Sequence, residues 1–120
     1  MAYQSFQDLD VWKRACRLSV TLYAELSACR DFALKDQMTR SAVSIASNIA
    51  EGAERGSPRE FIRFLRIAKG SSAELRTQLF IASQAGILPE GVARDLRREA
   101  EHLSAMLQRR ACPEFRVWAC

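Results

Sequence analysis

The sequence predicts an all-α protein, an up-down-up-down antiparallel four-helix bundle. Apolar residues recur at three and four along four separate stretches, the signature of amphipathic helices. Hydrophobic residues make up 48% of the 120 residues, against only 5 glycines and 3 prolines, which favours a packed helical protein over an all-β or disordered one. The stretch Gln37–Glu60, QMTRSAVSIASNIAEGAERGSPRE, spells a helix end, a tight corner and a new helix start in succession. A chain reversed that sharply forms an antiparallel helical hairpin.

The first helix is expected to start after Asp8 or Asp10, acidic residues suited to a helix N-terminus, and to reach about Leu26. It carries two apolar stripes: Leu9, Trp12, Cys16, Ser19, Tyr23 and Leu26, and beside it Val11, Ala15, Leu18 and Leu22. Lys13, Arg14, Arg17, Thr21 and Glu25 fill the remaining arc of roughly 120°. So wide an apolar arc points to a second contact surface besides the core, and Val11, Leu18 and Leu22 are assigned to it.

Cys29–Ala33 forms the connection, with Asp31 as N-cap of the second helix. Leu34, Met38, Ala42, Ile45 and Ile49 make that helix's core stripe. A polar stripe, Gln37, Ser41, Ser44, Asn48 and Glu51, runs alongside and asks for partners outside the helix. Asn48 is expected to bond to backbone near the corner, and Glu51 to pair with Arg40 or Arg63. Gly52 is expected to close the helix in the left-handed conformation. Ser57-Pro58-Arg59-Glu60 then reads as a capping box with proline at the first helical position.

The third helix runs from Pro58 to about Ala85 and stops at Gly86, a span of roughly 42 Å. Phe61, Phe64, Leu65, Ala68, Ser72, Leu75, Leu79 and Ala82 form its core face. Arg59, Arg63 and Arg66 stack opposite, with Lys69 and Arg76 to one side. Ile62, Ile67, Phe80 and Ile81 lie off the core stripe; Ile62, Phe80 and Ile81 are assigned to contact with another subunit. The fourth helix reads Val92, Leu96, Ala100, Leu103 and Leu107 and ends near Arg110, because Pro113 prevents its continuation. The bundle therefore occupies residues 1–111 as one domain, and residues 112–120 form a C-terminal tail without periodicity.

Several function classes are disfavoured. Cys16, Cys29, Cys112 and Cys120 show no C-x-x-C pair and His102 is the only histidine, so no metal or cofactor site is expected, and the cysteines read as reduced thiols. His102, beside Glu99 and Glu101, reads as a solvated helix residue rather than a general base, and no enzyme activity is expected. No apolar run approaches the roughly 18 residues of a membrane span, and a signal-peptide pattern is lacking; a cytoplasmic protein is expected.

The motifs SF-x-DL-x-VW-x-x-A, Gln37, SIASNIAEG and SPREFIRFLRIAKGSSAEL resemble the four helix bundle proteins encoded by intervening sequences in bacterial large-subunit rRNA genes. The resemblance spans nearly all of Ser5–Leu107, and more distantly touches the accessory protein of diversity-generating retroelements. It implies a bundle that assembles into a ring-like homopentamer. The family's recurring positions, as they stand here, are Gln37, Ser44, Asn48, Glu51, Gly52, Ser57, Phe61, Leu65, Gly70 and Glu74, to which the cap residue Glu60 is added on its own chemistry.

Charge supplies the functional lead. Ser57–Gly86 holds Arg59, Arg63, Arg66, Lys69 and Arg76 against Glu60 and Glu74, a surplus of three within a chain of net charge +4. Such a stripe suits weak, sequence-tolerant binding of RNA phosphates. An ordinary solvated face is the plain alternative. A protein-interaction scaffold with no direct nucleic-acid contact, serving a partner such as a nucleic-acid-processing protein, is the rival function.

Overall fold

Local capping chemistry sets the ends of the helices. A computed structural model describes residues 5–112, and these contain α1 (Asp10–Glu25), α2 (Phe32–Glu54), α3 (Pro58–Gln84) and α4 (Glu90–Ala111), preceded by a 3-10 turn at Phe6–Asp8. Asp31 caps α2 by accepting from the Leu34 N–H at 3.0 Å. Ser57 caps α3 by accepting from the Glu60 N–H at 3.4 Å. The reciprocal half of the expected capping box is replaced, since the Glu60 carboxylate accepts from Arg63 instead. Gly86, at φ +74°, ends α3: its N–H donates to Ser83 and the Ile87 N–H to Ala82, closing the helix in a Schellman motif.

The corner between α2 and α3 corrects one expectation. Helix α2 continues through Gly52 to Glu54, and the left-handed glycine is Gly56, at φ +75°. Gly52 is instead buried inside the helix, where a Cβ would lie 2.6 Å from Phe64 Cβ and 3.3 Å from Phe61 Cδ1. Its missing side chain is therefore what lets α2 and α3 close on each other.

The helices pack cyclically, α1 on α2 and α4, α2 on α3, and α3 on α4, as an antiparallel bundle requires. Each contributes one aliphatic stripe to a single core that includes Leu22, Leu26, Met38, Ile45, Ile49, Leu65, Leu75, Leu79, Leu103 and Leu107. On α1 the stripe assigned to a second surface faces the core, while of the other stripe only Ser19 and Leu26 are buried. Val11, Ala15, Leu18, Leu22 and Leu26 are buried, whereas Trp12 and Cys16 are half-buried and Tyr23 is exposed. Val11, Leu18 and Leu22 thus leave no surface for another subunit. The physical reason is shape: a slim aliphatic stripe fits between α2 and α4, while Trp12 and Tyr23 carry polar tips suited to a boundary. Trp12 packs edge-on against Phe6 with ring centroids 5.3 Å apart.

Cys16 and Cys29 are free thiols, and burial pushes the Cys16 thiol up, away from the reactive thiolate. Cys112 is disulfide-bonded, against the expectation of reduced cysteines throughout. The expected C-terminal tail lies, from Pro113 onward, outside the described residues.

Two glycines in helix interiors should respond oppositely to alanine. Gly52→Ala drives a Cβ into the rigid base of Phe64 and should destabilise by about 1–3 kcal/mol, outweighing its helix-propensity gain. Gly70, with open space around it, should stabilise by about 0.5–1 kcal/mol as alanine. Urea unfolding that moved both midpoints in one direction would contradict this packing.

Candidate nucleic-acid interface

Arg59, Arg63 and Arg66 occupy neighbouring turns of α3 and are all exposed. With Glu60 and Ile62 they line a shallow depression of about 270 Å³. Arg59 and Arg66 make no ion pair among the described residues. Arg63 is held by Glu60 through two hydrogen bonds, 3.2 Å from Nε and 3.3 Å from Nη2. The Arg63 hydrogen bond holds the Glu60 carboxyl below the usual carboxylate range, so it is an anion at neutral pH.

The other two sequence-predicted basic residues stand apart. Lys69 is half-buried and donates to Gln108 of α4. Arg76 is half-buried too, with its Nε enclosed and lacking a partner among the described residues. The exposed basic surface of α3 is therefore the Arg59, Arg63 and Arg66 stripe, within which Arg63 is held by Glu60. One residue the sequence reading missed joins it: Arg55, from the end of α2, lies with its guanidinium 4.9 Å from the Phe64 ring centroid, and Arg63 lies 4.7 Å from the same ring. Its signal was present in sequence as a basic residue beside the corner, but only packing brings it onto Phe64.

Of the polar stripe of α2, Ser44 reaches α3, while Asn48 and Glu51 find partners on α2 and its C-terminal end. Asn48 donates to Ser44 O and Ser44 Oγ at 2.8 and 2.9 Å, rather than to backbone at the corner. Ser44 Oγ lies 2.9 Å from Ser71 Oγ, and Ser71 donates to Ile67 O at 3.3 Å. With the Ser71 hydrogen committed there, Ser44 is the donor to Ser71. On the far side of α3, Ser104 donates to Ser72 and Ser72 to Ala100 O, both at 2.8 Å. Glu51 pairs with Arg55 at 2.8 Å instead of Arg40 or Arg63, while Arg40 pairs with Asp36. Gln37, Glu74 and His102 are exposed, and no cluster among the described residues could hold a metal ion.

The family model for the 23S rRNA-intervening sequence protein matches residues 7–109. The chain belongs to this family. The matched span contains all four helices apart from the last residues of α4, so the family unit is the bundle itself. A crystal structure of a protein of unknown function from the S23 ribosomal protein family of Bacteroides thetaiotaomicron aligns with a TM-score of 0.75 at 22% identity, covering 81% of this chain and 94% of that one. At that identity the likeness establishes the fold alone. No curated protein matches the chain.

Apolar surface remains outside the family core. Val20 is 70% exposed, Phe80 51% and Ile81 50%, whereas Ile62 is half-buried against the core. Between α1 and α2 an apolar groove of about 460 Å³ is lined by residues including Phe6, Trp12, Cys16, Val20, Val43 and Ala46. No helix among the described residues is long and apolar enough to cross a membrane. On the α1–α4 side, Arg14 binds Glu99 through two bonds of 3.0 and 2.8 Å. That hydrogen bond raises the Arg14 pKa against partial desolvation; helical periodicity places Arg14 in the polar arc of α1 but does not show its partner on α4.

The polar contacts should separate by burial. Glu51→Gln removes an exposed pair one turn apart and should cost at most about 0.5 kcal/mol. Ser72→Ala leaves the buried Ser104 hydroxyl without its acceptor and should cost about 1–3 kcal/mol. Equal losses in urea unfolding would refute this ranking.

Proposed function

We propose that this bundle is a non-enzymatic, cytoplasmic homo-oligomer that binds RNA weakly and without sequence preference through α3. The observation that carries the reading is the exposed arginine stripe Arg59, Arg63 and Arg66, on the face of α3 away from the core. Arginine forks neutralise phosphates and release counterions whatever the base sequence. Membership of a family named for an rRNA intervening sequence is consistent with an RNA partner. Assembly into a homopentamer rests on the resemblance noted above and is supported by exposed Val20, Tyr23, Val43, Phe80 and Ile81. Repetition of one weak patch around an oligomer would supply avidity without new contacts.

The same exposed apolar residues favour a second reading, a scaffold that presents a surface to a protein partner such as a nucleic-acid-processing enzyme. Salt separates the two, because phosphate contacts weaken steeply with added salt and apolar contacts do not.

Changing Arg59, Arg63 and Arg66 together to glutamine should preserve fold and oligomer while weakening retention of structured RNA on filters at low salt. The salt slope should fall by about one per lost phosphate contact. Undiminished retention by the triple variant, or none by the wild type, refutes RNA binding through α3 and leaves the scaffold reading. A monomer by light scattering at micromolar concentration refutes the assembly.

A further inference from the structure

Two guanidinium groups converge on one carboxylate oxygen at the α2–α3 corner. Glu60 Oε1 lies 3.3 Å from Arg63 Nη2 and 3.8 Å from Arg55 Nη1, while Oε2 accepts from Arg63 Nε at 3.2 Å. The same ring positions both cations, since Arg55 and Arg63 lie 4.9 and 4.7 Å from the Phe64 centroid. Phe64 is itself buried, with its Cβ where a side chain at Gly52 would stand, so the platform is fixed by the close approach of α2 and α3. Glu51 restrains Arg55 further through a 2.8 Å bond.

A carboxylate gripped by both arms of one guanidinium and approached by a second reproduces how arginines take a phosphate. Planar forks match two oxygens of either anion, and aromatic stacking keeps them oriented. A simple surface ion pair needs neither the shared ring nor the second cation. We propose that Arg55 and Arg63 form a phosphate-binding pair, and that Glu60 holds the phosphate's place until an RNA phosphodiester displaces its carboxylate. This rests on the RNA reading above and deepens it. Arg55 becomes a fourth phosphate contact, contributed by α2. Glu60 becomes an internal competitor that limits affinity, and it can be displaced because its side chain is partly solvated and its helix cap uses the backbone N–H.

Filter retention of one structured RNA hairpin by the full-length chain tests this. Glu60→Gln keeps the cap and removes the competitor. Removing the competing carboxylate leaves the site one net positive charge richer, worth about eightfold in affinity near 0.1 M salt and about one in salt slope. Glu74→Gln removes the same charge at an exposed position about 21 Å along α3, beyond a Debye length, and serves as the control. The expected result is a gain of about eightfold for Glu60→Gln, a much smaller one for Glu74→Gln, and loss of the gain when Arg63→Gln or Arg55→Gln is added. Equal gains from the two glutamates, no gain from Glu60→Gln, or a gain that survives both arginine changes overturns the phosphate pair. If wild type binds and the Arg59, Arg63 and Arg66 triple variant does not, while Glu60→Gln changes nothing, the RNA reading stands and only this inference falls. If neither wild type nor Glu60→Gln retains RNA at low salt, both fall.

Discussion

The contact between Gly52 and Phe64 is the constraint on which much of this structure depends. A Cβ at position 52 would stand 2.6 Å from that of Phe64, a distance that packed side chains do not tolerate. Its absence brings α2 against α3 where the chain has only Arg55, Gly56 and Ser57 with which to reverse. Close approach at the corner then lets Ser44 and Ser71 meet further along the same pair of helices. It also buries Phe64, and the buried ring positions Arg55 and Arg63 at the surface. Backbone packing and surface charge are thus joined through a single residue.

Helix α3 is bonded on both flanks by adjacent serines. Successive helical residues project about 100° apart, so Ser71 can reach α2 while Ser72 reaches α4. Core leucines tolerate sliding better than hydroxyls do, because an apolar contact has no direction and a hydrogen bond has. The two serine sites therefore fix the register of α3 against both neighbours. Helix α1 is secured differently, through its aliphatic stripe and the bidentate Arg14–Glu99 pair on its α4 side.

Surface charge follows the same logic of partners. Of the five basic side chains that helical periodicity groups on α3, Lys69 turns to Gln108 and Arg76 has its Nε enclosed. Arg63 is shared with Glu60, and Arg59 and Arg66 keep their charges open to solvent. A count of lysines and arginines thus overstates the surface available to a polyanion.

Sequence alone determined the helices of this protein and their order. Period, caps and breakers act over three or four residues, so Asp31, Ser57 and Gly86 could be read as helix ends directly. The amphipathic stripes likewise located the core of α2, α3 and α4. What tertiary structure decided was every choice between near-equal local options. Two stripes on α1 were both apolar, and only the space between α2 and α4 selected Val11, Leu18 and Leu22 for burial. Gly52 and Gly56 could each end a helix, and only the approach of Phe64 made Gly52 an interior residue. Glu51 had Arg55 one turn on and Arg63 across the corner, and geometry gave it Arg55, whereas Arg40 lies three turns back along the same helix, out of reach. Local periodicity fixes direction around one helix axis, whereas partners depend on where the next axis lies, which the whole core sets at once.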